Sequence, residues 1–433
     1  MSAPLGKRRA RHLIEICLRK ELPPGAPLPD EAADLVEEGV LDSMAWVSFL
    51  RALETACGAP DLGSLLMGQP SSIASVLAAL AGHPGQARGE SPLEVAKGND
   101  AGGRDAFLCG SGAALGARIV ASEEVDREFG MPPGKLRKRA GIESVARAAA
   151  NESEVTLGAR AAQEALRAAG CAARDVDWIM ATSETHHSYP SLAAQLHSLL
   201  LVRENCGALD TGGACLGVLN AFAVAQAFLV SGQARSVLVV TADVHSRLLI
   251  PGRTAGEFGG LFGDGACAFL LRAQASGENC WRLGKFHFGC AGQYAGAIRV
   301  GLAQDGSQGS APGHALEVKF DGEALSRAAV SRLDKVLREA ALRSGHALED
   351  AAGFATHQPN PRLVEILARQ LGVPAGKFPP VARLSGNLGS STTAAALHAI
   401  LTEQAAKPAA ERKPVFLASL GPELLFGGGW IEP

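Results

Sequence analysis

Ala208-Leu209-Asp210-Thr211 followed by Gly212-Gly213-Ala214-Cys215 is the stretch on which the reading of the fold turns. The first four residues suit a short strand, Gly212-Gly213-Ala214 a tight turn, and Cys215 the first residue of a long apolar helix to about Leu229. The same alternation continues outward. Trp178–Ala181 precedes helical Leu192–Leu201, and Ser236–Ala242 and Ala266–Leu271 add two further β-rich runs. A second series has helices predicted at Glu323–Ser344, Arg362–Leu371 and Thr392–Glu403 flanking strands Gly353–Thr356 and Val415–Ala418. The pattern predicts βαβ units around a mostly parallel, buried sheet, with the C-terminal half built in the style of the first.

Composition bounds what such a chain does. It has 433 residues, enough for about three domains, with 47% hydrophobic and 20% charged side chains, so a substantial core is expected. A net charge of −3 supplies no overall field for a polyanion, which argues against general nucleic-acid binding. Nine cysteines without a CxxC pair suggest neither a disulfide framework nor a structural zinc site, and fit a reducing cytoplasm. No apolar run is expected to reach the roughly 18 residues of a membrane span, and Met1–Arg11 leads into an amphipathic stretch rather than a signal peptide. Lys7, Arg8, Arg9 and Arg11 form a basic cluster best explained as a solvated helix start.

Ahead of the alternating region, residues 12–81 predict a compact helical unit, with Leu13, Ile16 and Cys17, then Leu50, Leu53 and Cys57, on helical faces. Pro23–Pro29 breaks the first helix, and Ser71-Ser72 suits the cap of the last. Residues 83–105 are rich in Gly, Pro, Ala and charge and are expected to be a flexible linker spanning about 25–30 Å. Between the first and last helices, Gly39-Val40-Leu41-Asp42-Ser43-Met44 ends a loop and begins the apolar helix Ala45–Cys57, with Asp42 or Ser43 as its cap.

This first unit resembles an acyl or peptidyl carrier protein, in which an Asp-Ser pair at the start of the second helix accepts phosphopantetheine. Leu41 before the pair, Met44 after it, the Pro-rich first loop and the terminal helix Ser72–Leu80 carry the resemblance. It implies a four-helix carrier domain over residues 1–82, phosphopantetheine attached covalently at Ser43, and a phosphopantetheinyl transferase as partner. An anion at a helix start is favoured by free backbone N–H groups and the helix dipole. The helix after Ser43 departs from the usual acidic face, with Trp46, Phe49, Arg51 and Glu54 as its only acid.

A thiol at a helix N-terminus is expected to have a lowered pKa, as nucleophilic catalysis requires. Alone, a cysteine beside Gly and Ala more often packs a core. Three later segments give Cys215 company: Phe262-Gly263-Asp264-Gly265-Ala266, Thr356-His357-Gln358-Pro359-Asn360 and Ser385-Gly386-Asn387-Leu388-Gly389-Ser390-Ser391. With Asp210–Gly217 they resemble, in order and over about residues 107–433, the ketoacyl synthase III family of thiolase-fold enzymes. Arg139-Ala140-Gly141-Ile142 and Thr185-His186-His187-Ser188-Tyr189-Pro190-Ser191 add to the likeness.

The resemblance implies an α/β thiolase-like fold of two similar βαβ halves in five αβαβα layers, residues 106–272 and 273–433, assembled as a cytoplasmic homodimer. It implies Cys215 as the nucleophile taking an acyl group from a thioester, with His357 and Asn387 binding a second, malonyl-type carrier-bound thioester. Decarboxylation leaves an enolate, and two fixed hydrogen-bond donors aimed at its oxygen lower that barrier. Arg139 and Tyr189 are implied substrate contacts, Tyr189 either toward a partner's acyl tunnel or as a plain surface residue. No metal is implied. Gly263-Asp264-Gly265 lacks the length and Lys of a P-loop and is read as a structural turn.

Two departures bear on substrate. Lys135 stands where relatives accepting coenzyme A carry a stacking Trp, which favours carrier-delivered substrates. Pro422 stands in the loop that helps build the oxyanion hole and has no N–H to give, leaving Cys215 N–H or Gly427-Gly428-Gly429 for that task. The expected function is decarboxylative Claisen condensation in a specialised lipid or polyketide pathway. Acyl transfer or non-decarboxylative condensation on the same fold, and a non-catalytic carrier or docking scaffold, are the alternatives.

Overall fold

The computed structural model of the chain describes residues 7–57, 62, 66, 69–82, 105–292, 298–302, 316–320 and 322–433. Most of the expected linker therefore lies outside the described residues, as does most of the segment available for a fourth N-terminal helix. Two compact units result, residues 1–102 with 321–330, and 103–320 with 331–433.

In the smaller unit, helices Lys7–Arg19, Ser43–Cys57 and Ile73–Gly82 share one apolar core. Ile14, Cys17 and Leu18 supply the first helix's buried stripe, while Ile16, expected on that face, is 43% exposed. Trp46, Phe49, Leu50 and Leu53 fill the second at i, i+3, i+4 and i+7 spacing. The cap of that helix is Asp42, whose Oδ1 accepts the N–H groups of Met44 and Ala45 at 3.0 and 2.8 Å. Ser43 is the first helical residue. Ser72 Oγ caps the last helix by accepting Ser75 N–H at 3.2 Å.

The larger unit is layered. Strands Gly207–Asp210, Trp178–Thr182, Ser236–Val244, Asp264–Arg272 and Phe107–Leu115 lie side by side in that order. Gly353–Thr356, Val415–Leu420 and Leu425–Glu432 form a second set, with His287–Cys290 paired to the last. The three-residue strand Trp281–Leu283 pairs with Phe107–Leu115 on one side and Leu425–Glu432 on the other, joining the sets into one ten-stranded sheet.

The expectation of a mostly parallel sheet is corrected here. Trp178–Thr182 runs parallel to both its neighbours, as Gly353–Thr356 does to Val415–Leu420, but the other pairings are antiparallel. After Val244 the chain makes its turn at one end of the sheet and returns as Asp264–Arg272, without the crossover that a parallel neighbour requires.

Alternation along the strands builds two cores. Val237 and Val239 face a core shared with Val218, Leu219 and Phe222 of helix Gly217–Ser231, Ala394, Leu397 and Leu401 of helix Ser391–Ala405, and Val415 and Leu417 of the second set. These two helices are the middle layer. Leu238 and Val240 face outward against helices Glu154–Ala168 and Leu192–Leu199. On the far side, Val336 of helix Gly322–Ser344 lies over Gly428, and Phe354 stacks with Phe378 and Phe416 at centroid distances of 4.9 and 6.1 Å. The layers run helix, sheet, helix, sheet, helix.

Two composition-based expectations change. Ala214–Ser231 is 18 residues long and apolar enough to cross a membrane, contrary to the estimate from sequence, and it is the core helix just described. Cys109 and Cys280 are joined as a disulfide, a pairing invisible in spacing because pairing of Leu108 with Trp281 brings together positions 171 residues apart. Among the described residues no cluster of three or more His, Cys, Asp or Glu is arranged to hold a metal ion.

Candidate active site

The turn carrying Cys215 is forced by local conformation. Gly213 has φ +117°, and a Cβ there would stand 2.3 Å from Asn220 Nδ2. Ala214 also has positive φ, at 47°. Cys215 sits in the 3₁₀ turn Ala214–Leu216, with the α-helix beginning only at Gly217. Just upstream, Asp210 caps helix Leu192–Leu199 by accepting Leu192 and Ala193 N–H at 2.9 and 2.8 Å.

Cys215 and His357 hang from adjacent residues of one strand. The carbonyl of Cys215 accepts Ser419 Oγ at 2.6 Å, and Ser419 Oγ in turn accepts Thr393 Oγ1 at 3.1 Å. His357, 5% exposed after strand Gly353–Thr356, donates its backbone N–H to Ala418 O at 3.0 Å. The first bond crosses between the two halves of the unit and the second lies within the C-terminal half, so joining the halves brings Cys215 to the strand that already holds His357.

Asn387 lies between Leu261 and Gly263. Its N–H donates to Leu261 O at 2.8 Å and its carbonyl accepts Gly263 N–H at 2.9 Å. Gly263 has no space for a side chain, since a Cβ would lie 2.0 Å from Ser385 O. The side-chain oxygen Oδ1 accepts Gly389 N–H at 3.0 Å and Thr392 Oγ1 at 2.9 Å. Both bonds fix which end of the amide is oxygen, so the NH₂ end is the one left to donate elsewhere. Asp264 is buried and accepts Ala148 N–H at 2.7 Å and Ser246 N–H at 3.0 Å, a structural role for the Gly-Asp-Gly turn.

Charge at the site centres on three residues that sequence reasoning missed: Glu184, Asp243 and His245. Glu184 Oε2 lies 3.5 Å from His245 Nε2. Asp243 Oδ1 accepts Glu184 N–H at 2.6 Å and Oδ2 accepts Ser390 Oγ at 2.6 Å. His245 Nδ1 is 3.2 Å from Gly263 O and its ring stacks on Phe262 at 4.5 Å. Burial works against its charge, but Glu184 and Asp243 outweigh it and push the His245 pKa up to about 9. Asp243 is raised to about 6 by burial and by the Glu184 charge. Glu184 is held below the usual carboxylate range by His245 despite burial.

Cys215 overturns its expectation. Burial, followed by the charge of Glu184 and a hydrogen bond to it, raises the thiol well above its ordinary value rather than lowering it. A helix dipole acts through about half a charge, and here burial and the full charge of the Glu184 carboxylate act against it. His357 is pushed down to about 4 by burial, so it is neutral near pH 7. Glu184 bears on Cys215 and His357 alike.

Arg139 is exposed in the π-helical turn Leu136–Ala140, and Lys135 pairs with Glu257. Tyr189 is 98% exposed within its own chain. Gly421 N–H donates to Leu425 O at 2.8 Å, so it is committed within its hairpin, and a Cβ at Gly421 would lie 2.8 Å from Gly213 O. A sequence signal for the missed acids existed. Asp243 and His245 close an otherwise apolar run, and Glu184 immediately precedes the quoted Thr185–Ser191 segment.

Known proteins share this architecture. Residues 209–292 match the family described as 3-oxoacyl-(acyl-carrier-protein) synthase III, and residues 342–432 match its C-terminal part. The chain is 30% identical over 328 residues to the β-ketoacyl-(acyl-carrier-protein) synthase III of Granulibacter bethesdensis, covering 75% of this chain and 98% of that protein. The enzyme of the same name from Acidiphilium cryptum is 31% identical over 332 residues, again covering 75% and 98%. Among solved structures, the priming β-ketosynthase of the R1128 polyketide pathway superposes with a TM-score of 0.67 at 25% identity, over 76% of this chain and 97% of that one. The synthase III of Aquifex aeolicus shares the fold, with a TM-score of 0.66 at 22% identity over 76% and 100%. With nearly the whole length of two such relatives matched and both family segments in the larger unit, the chain belongs to the 3-oxoacyl-(acyl-carrier-protein) synthase III family of condensing enzymes.

Proposed function

We propose that the chain is a carrier-fused condensing enzyme performing decarboxylative Claisen condensation in a specialised lipid or polyketide pathway. Cys215 takes the acyl group from a thioester. His357 and Asn387 hold the carbonyl oxygen of a malonyl-type carrier-bound thioester, so that loss of its carboxylate leaves an enolate stabilised by two donors. The carbanion attacks the acyl-Cys215 carbonyl, giving a β-ketoacyl thioester and freeing the thiol. The observation that carries this reading is the fixing of Asn387 Oδ1 by Gly389 and Thr392, which leaves its NH₂ as the donor. The low pKa of His357 favours the neutral ring that such donation needs.

In this reading the smaller unit is the carrier and Ser43 bears phosphopantetheine, which supplies the thiol that holds an acyl group as a thioester. Asp42 takes the capping role at that helix start, so no second capping hydroxyl is required there. The active form is a homodimer, with Tyr189 at or near the partner and Arg139 toward the carrier-bound substrate. The cytoplasm is its proposed location. Incubating wild type and Cys215→Ala with an acyl donor and a malonyl-loaded carrier tests the reaction, and undiminished condensation by the variant refutes it.

One observation favours a second reading. The Glu184 carboxylate beside Cys215 repels the carboxylate of a malonyl group, which suits acyl transfer or condensation without decarboxylation. Release of carbon dioxide from the malonyl thioester separates the two.

A further inference from the structure

We propose that Glu184 is a catalytic residue of this chain, carrying the proton of the Cys215 thiol to the sulfur of the donor thioester during acyl loading. The inference rests on acylation of Cys215, the step common to both readings above, and adds the group that moves its proton.

The need for such a group is set by the site. A buried thiol beside a carboxylate stays protonated near neutral pH, so the helix start alone does not provide a thiolate. Some neighbour must take the proton as sulfur attacks. The titratable groups around it are Glu184, Asp243, His245 and His357, with Asp264 beyond His245.

Three of the four neighbours are committed or unsuited. Asp243 accepts Glu184 N–H, Ser183 Oγ and Ser390 Oγ, so both its oxygens are engaged. His245 already holds a proton near pH 7 and has Nδ1 against Gly263 O. His357, with its low pKa, is a weak base, and its Nδ1 is buried without a hydrogen-bond partner. Glu184 differs from all three. It follows strand Trp178–Thr182, its backbone is pinned by Asp243, and its Oε2 faces His245. Its other oxygen, Oε1, is buried with no conventional hydrogen-bond partner, and the carboxylate bears on the Cys215 thiol.

The step balances without any other reagent. As the bond from Cys215 Sγ to the acyl carbon forms, the Sγ proton passes to the Glu184 carboxylate. The tetrahedral intermediate then collapses, the bond from acyl carbon to donor sulfur breaks, and Glu184 returns the proton to that sulfur. The products are acyl-Cys215 and a free thiol, with Glu184 again charged beside protonated His245. The same carboxylate that suppresses the resting thiolate thus assists the attack, since it accepts the proton only while the new bond forms.

That double role gives an unusual signature. In the full-length protein, Glu184→Gln removes both the repelling charge and the proton acceptor. Acyl loading of Cys215 from an acyl thioester, followed by mass spectrometry of the protein, is expected to slow by about 10²-fold. Alkylation of Cys215 by iodoacetamide at pH 7.5, which needs only thiolate, is expected to rise several-fold. Glu184→Asp keeps the charge but withdraws it by one methylene, and is expected to load at an intermediate rate with alkylation near wild type. Equal falls in both rates for Glu184→Gln and Glu184→Asp assign a structural role and overturn the proposal. So does unchanged or faster loading by Glu184→Gln. Failure of the wild type to load at all removes the underlying reading as well, and is distinguished by needing no variant.

Discussion

Ser419 Oγ donates to the main-chain carbonyl of Cys215 at 2.6 Å, tying the turn of Cys215 in the N-terminal half to the central strand of the C-terminal half. Thr393 completes the chain of hydroxyls from the inner helix. Ser419→Ala removes both bonds inside the core and is expected to destabilise the protein by about 1–3 kcal/mol in chemical denaturation. It is also expected to slow acyl loading several-fold, because the turn loses its outer anchor. Unchanged stability would show that the carbonyl of Cys215 needs no such partner.

Thr392 sets the direction of the Asn387 amide. Thr392→Val deletes the donor to Oδ1 and leaves Leu388 N–H without its acceptor. Condensation is expected to fall by about tenfold or more, while acyl loading of Cys215 stays within about twofold, since in the proposed reaction only the second half-reaction uses the amide. Thr392→Ser restores both bonds and is expected to restore the rate. Single-turnover measurements of loading and condensation separate the two effects.

How much of this was legible in the sequence depends on where each cause lies. The apolar runs at Trp178–Ala181 and Ser236–Ala242, and the helices at Arg362–Leu371 and Thr392–Glu403, were readable because burial imposes its period directly. Strand Phe107–Leu115 was not, since Phe-Leu-Cys-Gly-Ser-Gly-Ala-Ala-Leu lacks a strong β pattern. Gly110 and Gly112 are there because a Cβ at either would stand 2.3 Å from carbonyls of helix Glu154–Ala168, a contact that only the fold creates. The thiol's electrostatics failed for the same reason. Its helix start is local, whereas Glu184 arrives from a neighbouring strand and outweighs it. Cys215, His357 and Asn387 were picked out by resemblance, and Glu184, Asp243 and His245 by neither resemblance nor pattern.

His245 makes stability fall on the alkaline side. Its folded pKa, about 9, lies above the ordinary 6.5, so the stabilisation is fully present below pH 6.5 and is lost as pH rises through 9. Asp243, raised to about 6, is mostly ionised by pH 7. Denaturation between pH 7 and 8.5, below the range where the buried thiols begin to titrate, is expected to show a loss on the order of 1–2 kcal/mol. His245→Gln is expected to flatten the profile. A wild-type profile already flat over this range would contradict the ion pair with Glu184.

Gly263 joins the loop of Asn387 to the strand Asp264–Arg272. Gly263→Ala places a methyl group 2.0 Å from Ser385 O, a backbone atom that cannot swing aside, and is expected to cost about 2–3 kcal/mol or prevent folding. Gly212→Ala is the control, because its Cβ meets open space, and its melting temperature is expected to match wild type. Equal behaviour of the two variants would mean that the Ser385 segment yields.

The central claim is that Cys215 carries the acyl group. Wild-type protein incubated with an acyl thioester, digested and mapped by mass spectrometry, is expected to bear the acyl mass on the peptide containing Cys215, and to lose it when a malonyl-loaded carrier is added. An adduct on other cysteines alone, or a Cys215→Ala protein that condenses as fast as wild type, would contradict the account.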